Sequence, residues 1–185
     1  MRSLFLLVCW VTVASAEPRE PGLQFRVGLG TGYATGTFTP DGSIDVTGVP
    51  VSTEISIGTT IGSGLVIGGG TFSMIVPSPS YGGVSSGANH ISGTGPFIDY
   101  FFDARRRVHL QAALLFTAGY LQGKDGAAST TGFGFGGEVG VGYDIPISDA
   151  WSVGPIVRVV YYELFPDSAT FDLVVPSALV AFTYH

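Results

Sequence analysis

Charge is scarce in this chain. Only 12% of its 185 residues are Asp, Glu, Lys or Arg, against about 25% in an average soluble domain. A chain so poor in charge and so rich in apolar residues (45%) lacks the polar surface of an ordinary soluble globule. Basic residues are fewer still, 8 against 14 acidic ones, for a net charge of −6. That balance argues against a nucleic-acid partner, which requires a basic footprint; the one basic cluster is Arg105-Arg106-Arg107. The only cysteine is Cys9. It lies in a segment expected to be removed, so the mature chain has no disulfide, thiol nucleophile or thiolate metal site. Three scattered histidines, His90, His109 and His185, make no metal set. Helical periodicity is also missing. The apolar run from Leu4 to Val13 is too short to cross a bilayer as a helix. With Arg2 before it and Ala14-Ser15-Ala16 after it, it reads as a signal peptide over residues 1–16, with cleavage expected after Ala16.

What the chain has instead is alternation. Leu23, Phe25, Val27, Leu29, Thr31 and Tyr33 take turns with Gln24, Arg26, Gly28, Gly30, Gly32 and Ala34. The pattern recurs over 51–61, 96–103, 108–120, 133–145, 151–162 and 173–184, while 65–76 is apolar on both parities and leaves its faces open. Period-two alternation is a strand signal, and runs of ten or more residues exceed the usual soluble strand of about five or six. The segments 35–50, 77–94, 121–132 and 164–172 are long and rich in Gly, Ser, Thr, Pro and Asp, whereas 62–64, 103–107 and 146–150 are short. Long loops at one end and tight turns at the other are the plan of an outer-membrane barrel. Lipid cannot satisfy an open sheet edge, so such a sheet must close on itself. The prediction is an all-β protein: a short segment over 17–22, then an eight-stranded antiparallel up-and-down transmembrane β-barrel over 23–185. A secreted, lipocalin-like soluble barrel is the alternative. It requires polar residues on the outward parity, but here they share the glycine-rich parity with nearly all strand charges, an inside-out pattern that favours lipid outside.

On strand count, loop asymmetry, the export signal and the closing "LVAFTYH", the chain resembles the small eight-stranded outer-membrane barrels, such as the OmpA-type transmembrane domain, OmpX and the opacity-like proteins. The resemblance implies a bacterial outer-membrane location, both chain ends on the periplasmic side, and outer-membrane lipids and the barrel-assembly machinery as partners. It implies that Phe182 and Tyr184 serve as the assembly-signal aromatics; His185 departs from that pattern and reads as a frayed end. Aromatics near both ends of the strands, Tyr33, Tyr120, Phe133 and Tyr161 at one and Tyr100, Phe102, Tyr143, Trp151 and Tyr184 at the other, fit two interfacial girdles.

Glu138 stands alone among glycines 134, 136, 140 and 142. A strand charge facing lipid costs several kcal/mol, so it should point inward, where it needs a partner. Counting from a three-residue turn between Pro146 and Ala150 puts Glu138 directly opposite Arg158, Asp144 opposite Ser152 and Ile145 opposite Trp151. With Glu54, Arg26 and Asp99, and with His109 and Gln111 also inward, these residues are expected to form a polar, self-neutralising network in the lumen. The inward glycines either leave water-filled volume or ease strand curvature.

Enzyme signatures are weak. "GLGTGYATG" and "GFGFGGEVG" have no following helix to meet a phosphate. His90-Ile91-Ser92 resembles the histidine–serine pair of outer-membrane lipid A deacylases, but Gly93 follows it where they carry asparagine, and no glutamate lies near in sequence. No catalytic residue, cofactor or metal is expected. The predicted role is a structural or surface-interaction protein with a plugged polar lumen, a ligand being possible through loops 35–50 and 77–94. A narrow ion or small-solute channel is the alternative, and a lipid A-modifying enzyme the third reading. The loops carry Asp41, Asp45, Asp125, Asp167 and Asp172 against Lys124, which disfavours an anionic surface partner.

Overall fold

A computed structural model describes residues 22–39, 43–61, 64–102, 107–122, 129–166 and 169–185. The expected signal peptide, Arg105, Arg106, Asp41, Lys124, Asp125 and Asp167 lie outside the described residues. Those described form thirteen strands: β1 (Leu23–Gly32), β2 (Ala34–Thr39), β3 (Ile44–Gly48), β4 (Val51–Ile61), β5 (Leu65–Val76), β6 (Ser80–Tyr81), β7 (Val84–Ser85), β8 (Asn89–Phe101), β9 (Val108–Gln122), β10 (Ser129–Tyr143), β11 (Ile145–Pro146), β12 (Trp151–Phe165) and β13 (Thr170–Tyr184).

Eight of them close the barrel, in the order β12-β10-β9-β8-β5-β4-β1-β13 with β13 returning to β12. Every pairing in the ring is antiparallel. Closure leaves no open edge among them, which is what allows strands to cross hydrocarbon. No described helix is long and apolar enough to cross a membrane. The outward parity is apolar, with Leu29, Leu114, Phe116, Phe133 and Val157 among its most exposed members. The open parity of 65–76 is settled: Val66, Phe72, Met74 and Val76 point in, Ile67 and Ile75 out.

Two sequence expectations need correction. Segments 35–50 and 77–94 are only partly loop. β2 and β3 pair as a hairpin that continues the barrel wall, and β2 also pairs with β13. β6 and β7 add a second small hairpin beside β3, turned by Gly82 and Gly83, both with positive φ, as a two-residue turn of the mirror-image kind needs. β8 starts at Asn89, not near 96. These stretches were obscured because strands standing beyond lipid have no apolar outer face to alternate against.

The second correction is register. The turn after β11 is longer than three residues: Ile147 and Ser148 N–H both point to the Trp151 carbonyl, at 2.9 and 3.1 Å, and the Ser148 hydroxyl accepts from Trp151 N–H at 3.1 Å. Ile145 therefore faces Val153, not Trp151, and Pro146 faces Ser152. Up the wall, Glu138 faces Val160, and Arg158 faces Gly140. The ladder is displaced by two residues, which keeps every side chain on its predicted face.

Candidate functional site

The barrel interior is the most heavily built part of the molecule. Toward the loop end, Phe72, Met74, Ile91, Leu164 and Leu173 pack with other buried apolar side chains. Toward the turn end a polar group is buried beside Val66, Phe97 and Phe101: Arg26, Glu54, Asp99, His109, Gln111, Glu138 and Arg158, each at most 2% exposed. All five residues singled out for a lumen network lie in one hydrogen-bonded cluster.

Arg26, on β1, donates through Nη2 to Asp99 at 2.7 Å, through Nη1 to the Gln111 side-chain carbonyl at 2.7 Å, and through Nε to the Thr183 hydroxyl at 3.1 Å. Arg158, on β12, donates through Nη1 to both Glu54 and Glu138 at 3.1 Å, and through Nη2 to the Thr53 carbonyl at 3.3 Å. Its guanidinium carbon lies 5.6 Å from the centre of the Phe72 ring. Gln111 links the two arginines, because its amide also donates to Glu54 and Glu138. Glu54 closes the link, its second oxygen standing 3.8 Å from Arg26. His109 Nδ1 is 2.8 Å from Asp99, and its ring stacks on Phe101 at 5.0 Å.

Glycines make the space for these side chains. A Cβ on Gly142 would run into the His109 ring, and one on Gly140 would stand 2.9 Å from Arg158 Cβ. Elsewhere the inward glycines answer to backbone. A Cβ on Gly30 would run into the Ala178 carbonyl, and one on Gly134 into that of Glu163. Of the two readings open from sequence, curvature and close approach account for these positions.

His185 is not frayed. Its N–H donates to the Ala150 carbonyl at 2.9 Å. Its Nε2 lies 2.9 Å from the Ser152 hydroxyl and 3.4 Å from Asp144. Sequence reading missed Asp144 as its partner, because alternation does not show a last residue turning under the barrel rim. Beside it Tyr184 packs edge-on against Trp151 at 5.3 Å, and Phe182 is exposed on the outer wall.

His90 and Ser92 share the outer wall of β8. The Ser92 hydroxyl is 2.7 Å from that of Ser73, and the neighbours of His90 across the sheet are Ile75 and Tyr120. At the loop end the two hairpins are joined by an aromatic cluster: Phe38 lies 6.2 Å from both Tyr81 and Phe171. Burial pushes the Tyr81 phenol above its ordinary pKa, against the hydrogen bond it accepts from Asn89. No cluster of His, Cys, Asp and Glu among the described residues could hold a metal ion.

The profile of the autotransporter β-domain family matches residues 79–172. Neisserial surface protein A superposes with a TM-score of 0.55 at 18% identity, over 88% of this chain and 98% of its own. The outer-membrane protein AlkL, solved in lipid bilayers, gives 0.58 at 12% identity, over 100% and 96%. Ail of Yersinia pestis, in complex with the heparin analogue sucrose octasulfate, gives 0.50 at 12% identity, over 85% and 98%. Comparison with curated sequences returns no match. At these identities the likeness is one of fold: an outer-membrane barrel.

Proposed function

The chain belongs to the autotransporter β-domain family of outer-membrane barrels, and we propose on that premise that it is a non-enzymatic, non-conducting barrel that carries an ordered β-extension at the cell surface. The observation that supports this is the pair of arginines, Arg26 and Arg158, held across the interior by Asp99, Glu54, Glu138 and Gln111. An eight-stranded barrel is only wide enough for its side chains to fill, and a path for ions or small solutes would have to break these buried bonds. The apolar packing above them adds a second barrier.

The role then falls to the wall beyond the membrane, formed by β2, β3, β6 and β7. Asp45 and Asp172 both face Thr37 across this sheet, and the chain as a whole carries −6. A sulfated polyanion, such as the analogue held by Ail, is the wrong chemistry for such a surface. The outer-wall serine of the His90–Ser92 pair is bonded to another serine, which supports a non-enzymatic reading.

Planar-bilayer recording tests the proposal. The purified protein is expected to give no discrete conductance steps, and Arg158→Ala with Glu54→Ala to introduce them. Regular steps from the unaltered protein, closed by no change in the loops, would establish the channel instead.

A further inference from the structure

Two outward positions, Gly69 and Gly137, break the rule that glycines here are sterically required. A Cβ on Gly137 would meet only the Ala113 carbonyl, at an ordinary 3.5 Å. Neither packing nor backbone conformation demands a glycine, yet it sits on the outer wall where neighbouring outward positions are bulky: Phe133, Phe135, Val139 and Val141 are all more than half exposed. Its missing side chain, with Pro96 and Ala112 nearby, forms the floor of a groove of about 740 Å³, within the range of small-molecule sites. Leu114, Val159 and Tyr161 line its sides. Glu138 also borders the groove, but its carboxylate is turned inward to Arg158.

The groove lies within the membrane band. Tyr161 follows Trp151 by ten residues on β12, which at about 3.3 Å per residue and a tilt of about 40° is about 25 Å, the height of the apolar band. Trp151 stands at the turn-end girdle, so Tyr161 stands at the opposite margin; Gly137 is its direct partner on β10, and Val139 and Val159 lie one outward position further toward the hydrocarbon interior. The groove thus runs from the hydrocarbon interior to the interface. At that upper end the Tyr161 hydroxyl donates to Asp172 at 2.9 Å, and Asp172 lies directly across from Glu163. Like charges opposite each other on a sheet are destabilising unless a positive group stands between or over them.

We propose that this groove is a lipid site: it holds an acyl chain of a membrane lipid whose headgroup carries an ammonium, the chain lying over Gly137 and the ammonium facing Asp172 and Glu163. Water is excluded from the band, so the groove's occupant is hydrocarbon or protein. The floor is apolar, as a chain requires, and the acidic rim selects positive over negative headgroups.

The test is native mass spectrometry of the whole barrel released from bilayers of equal parts phosphatidylethanolamine and phosphatidylglycerol. The unaltered protein is expected to retain one lipid, enriched in phosphatidylethanolamine. Gly137→Phe fills the floor and displaces a chain segment of about two methylenes, so retention should fall about tenfold. Val141→Phe, on the same wall but outside the groove, should retain lipid normally. Asp172→Asn should keep the lipid and lose the headgroup preference. Heat-modified gel migration verifies folding, and Leu114→Ala, which removes a side of the groove, should reproduce the loss should Gly137→Phe not fold. Equal retention in the groove variants, no lipid on the unaltered protein, or a dimer dissolved by Gly137→Phe would each overturn the proposal, the last in favour of a second copy.

Discussion

Arg158 shows how much one side chain decides in a narrow lumen. Its Nη1 serves Glu54 and Glu138 together, so losing it takes the cation from Glu138 and leaves Glu54 only the more distant Arg26 at 3.8 Å, whereas losing one glutamate's charge leaves the guanidinium with another. Breaking a buried pair typically costs about 3–5 kcal/mol. Arg158→Met is therefore expected at that level. Glu138→Gln, which keeps an acceptor for Gln111, is expected at about 1–3 kcal/mol. The double variant should cost less than the sum. Reversible urea unfolding in lipid measures all three, and strict additivity would mean that the two side chains do not act as partners.

At the scale of the strand, glycines divide into those the backbone demands and those it does not. On β1 a Cβ at Gly30 collides with the Ala178 carbonyl of β13, the pair that helps close the barrel. Gly30→Ala should therefore cost about 1–3 kcal/mol through forced backbone movement and lower the yield of heat-modifiable, folded protein. Gly137→Ala, on β10 where a Cβ meets nothing closer than the Ala113 carbonyl at 3.5 Å, should stay within about 0.5 kcal/mol of the unaltered protein. Equal effects in the same unfolding assay would show that strand coiling does not account for the inward glycines. The strands also reach beyond the lipid band. β12 runs to Phe165 and β13 starts at Thr170, so the wall continues upward into the two hairpins rather than dissolving into loops.

For the whole molecule, the asymmetry of its two ends sets an orientation. The hairpins of β2–β3 and β6–β7 lie at one end. The turn after β11, where Ile147, Ser148 and Asp149 are exposed, lies at the other. Cysteine at Ser85 is expected to react with an impermeant maleimide on intact cells, and cysteine at Asp149 only after the outer membrane is opened. The reverse result would invert the barrel and move the proposed lipid rim to the inner leaflet.

Local chemistry along the chain determined which side of the wall each residue occupies. Alternation is a property of the extended backbone itself, and the cost of a charge in lipid allows only one sign of the pattern, so Glu138, Arg158, Glu54, Arg26 and Asp99 could all be assigned to the inward face before any strand was paired. The eight-strand count, the closed sheet and the outer-membrane location followed from the same reasoning. Register did not, because moving a strand by two residues keeps every face correct and the true length of the turn at 147–150 depends on bonds to Trp151 that no spacing reveals. Nor did the meeting of Glu54 with both arginines. Glu54 stands opposite Gly28, one inward position from Arg26 on the adjacent strand, and reaches Arg158 only across the closed interior. His185 found Asp144, and Gly137 became the floor of a groove, for the same reason: a closed, tilted sheet sets side by side residues whose order along the chain says nothing of each other.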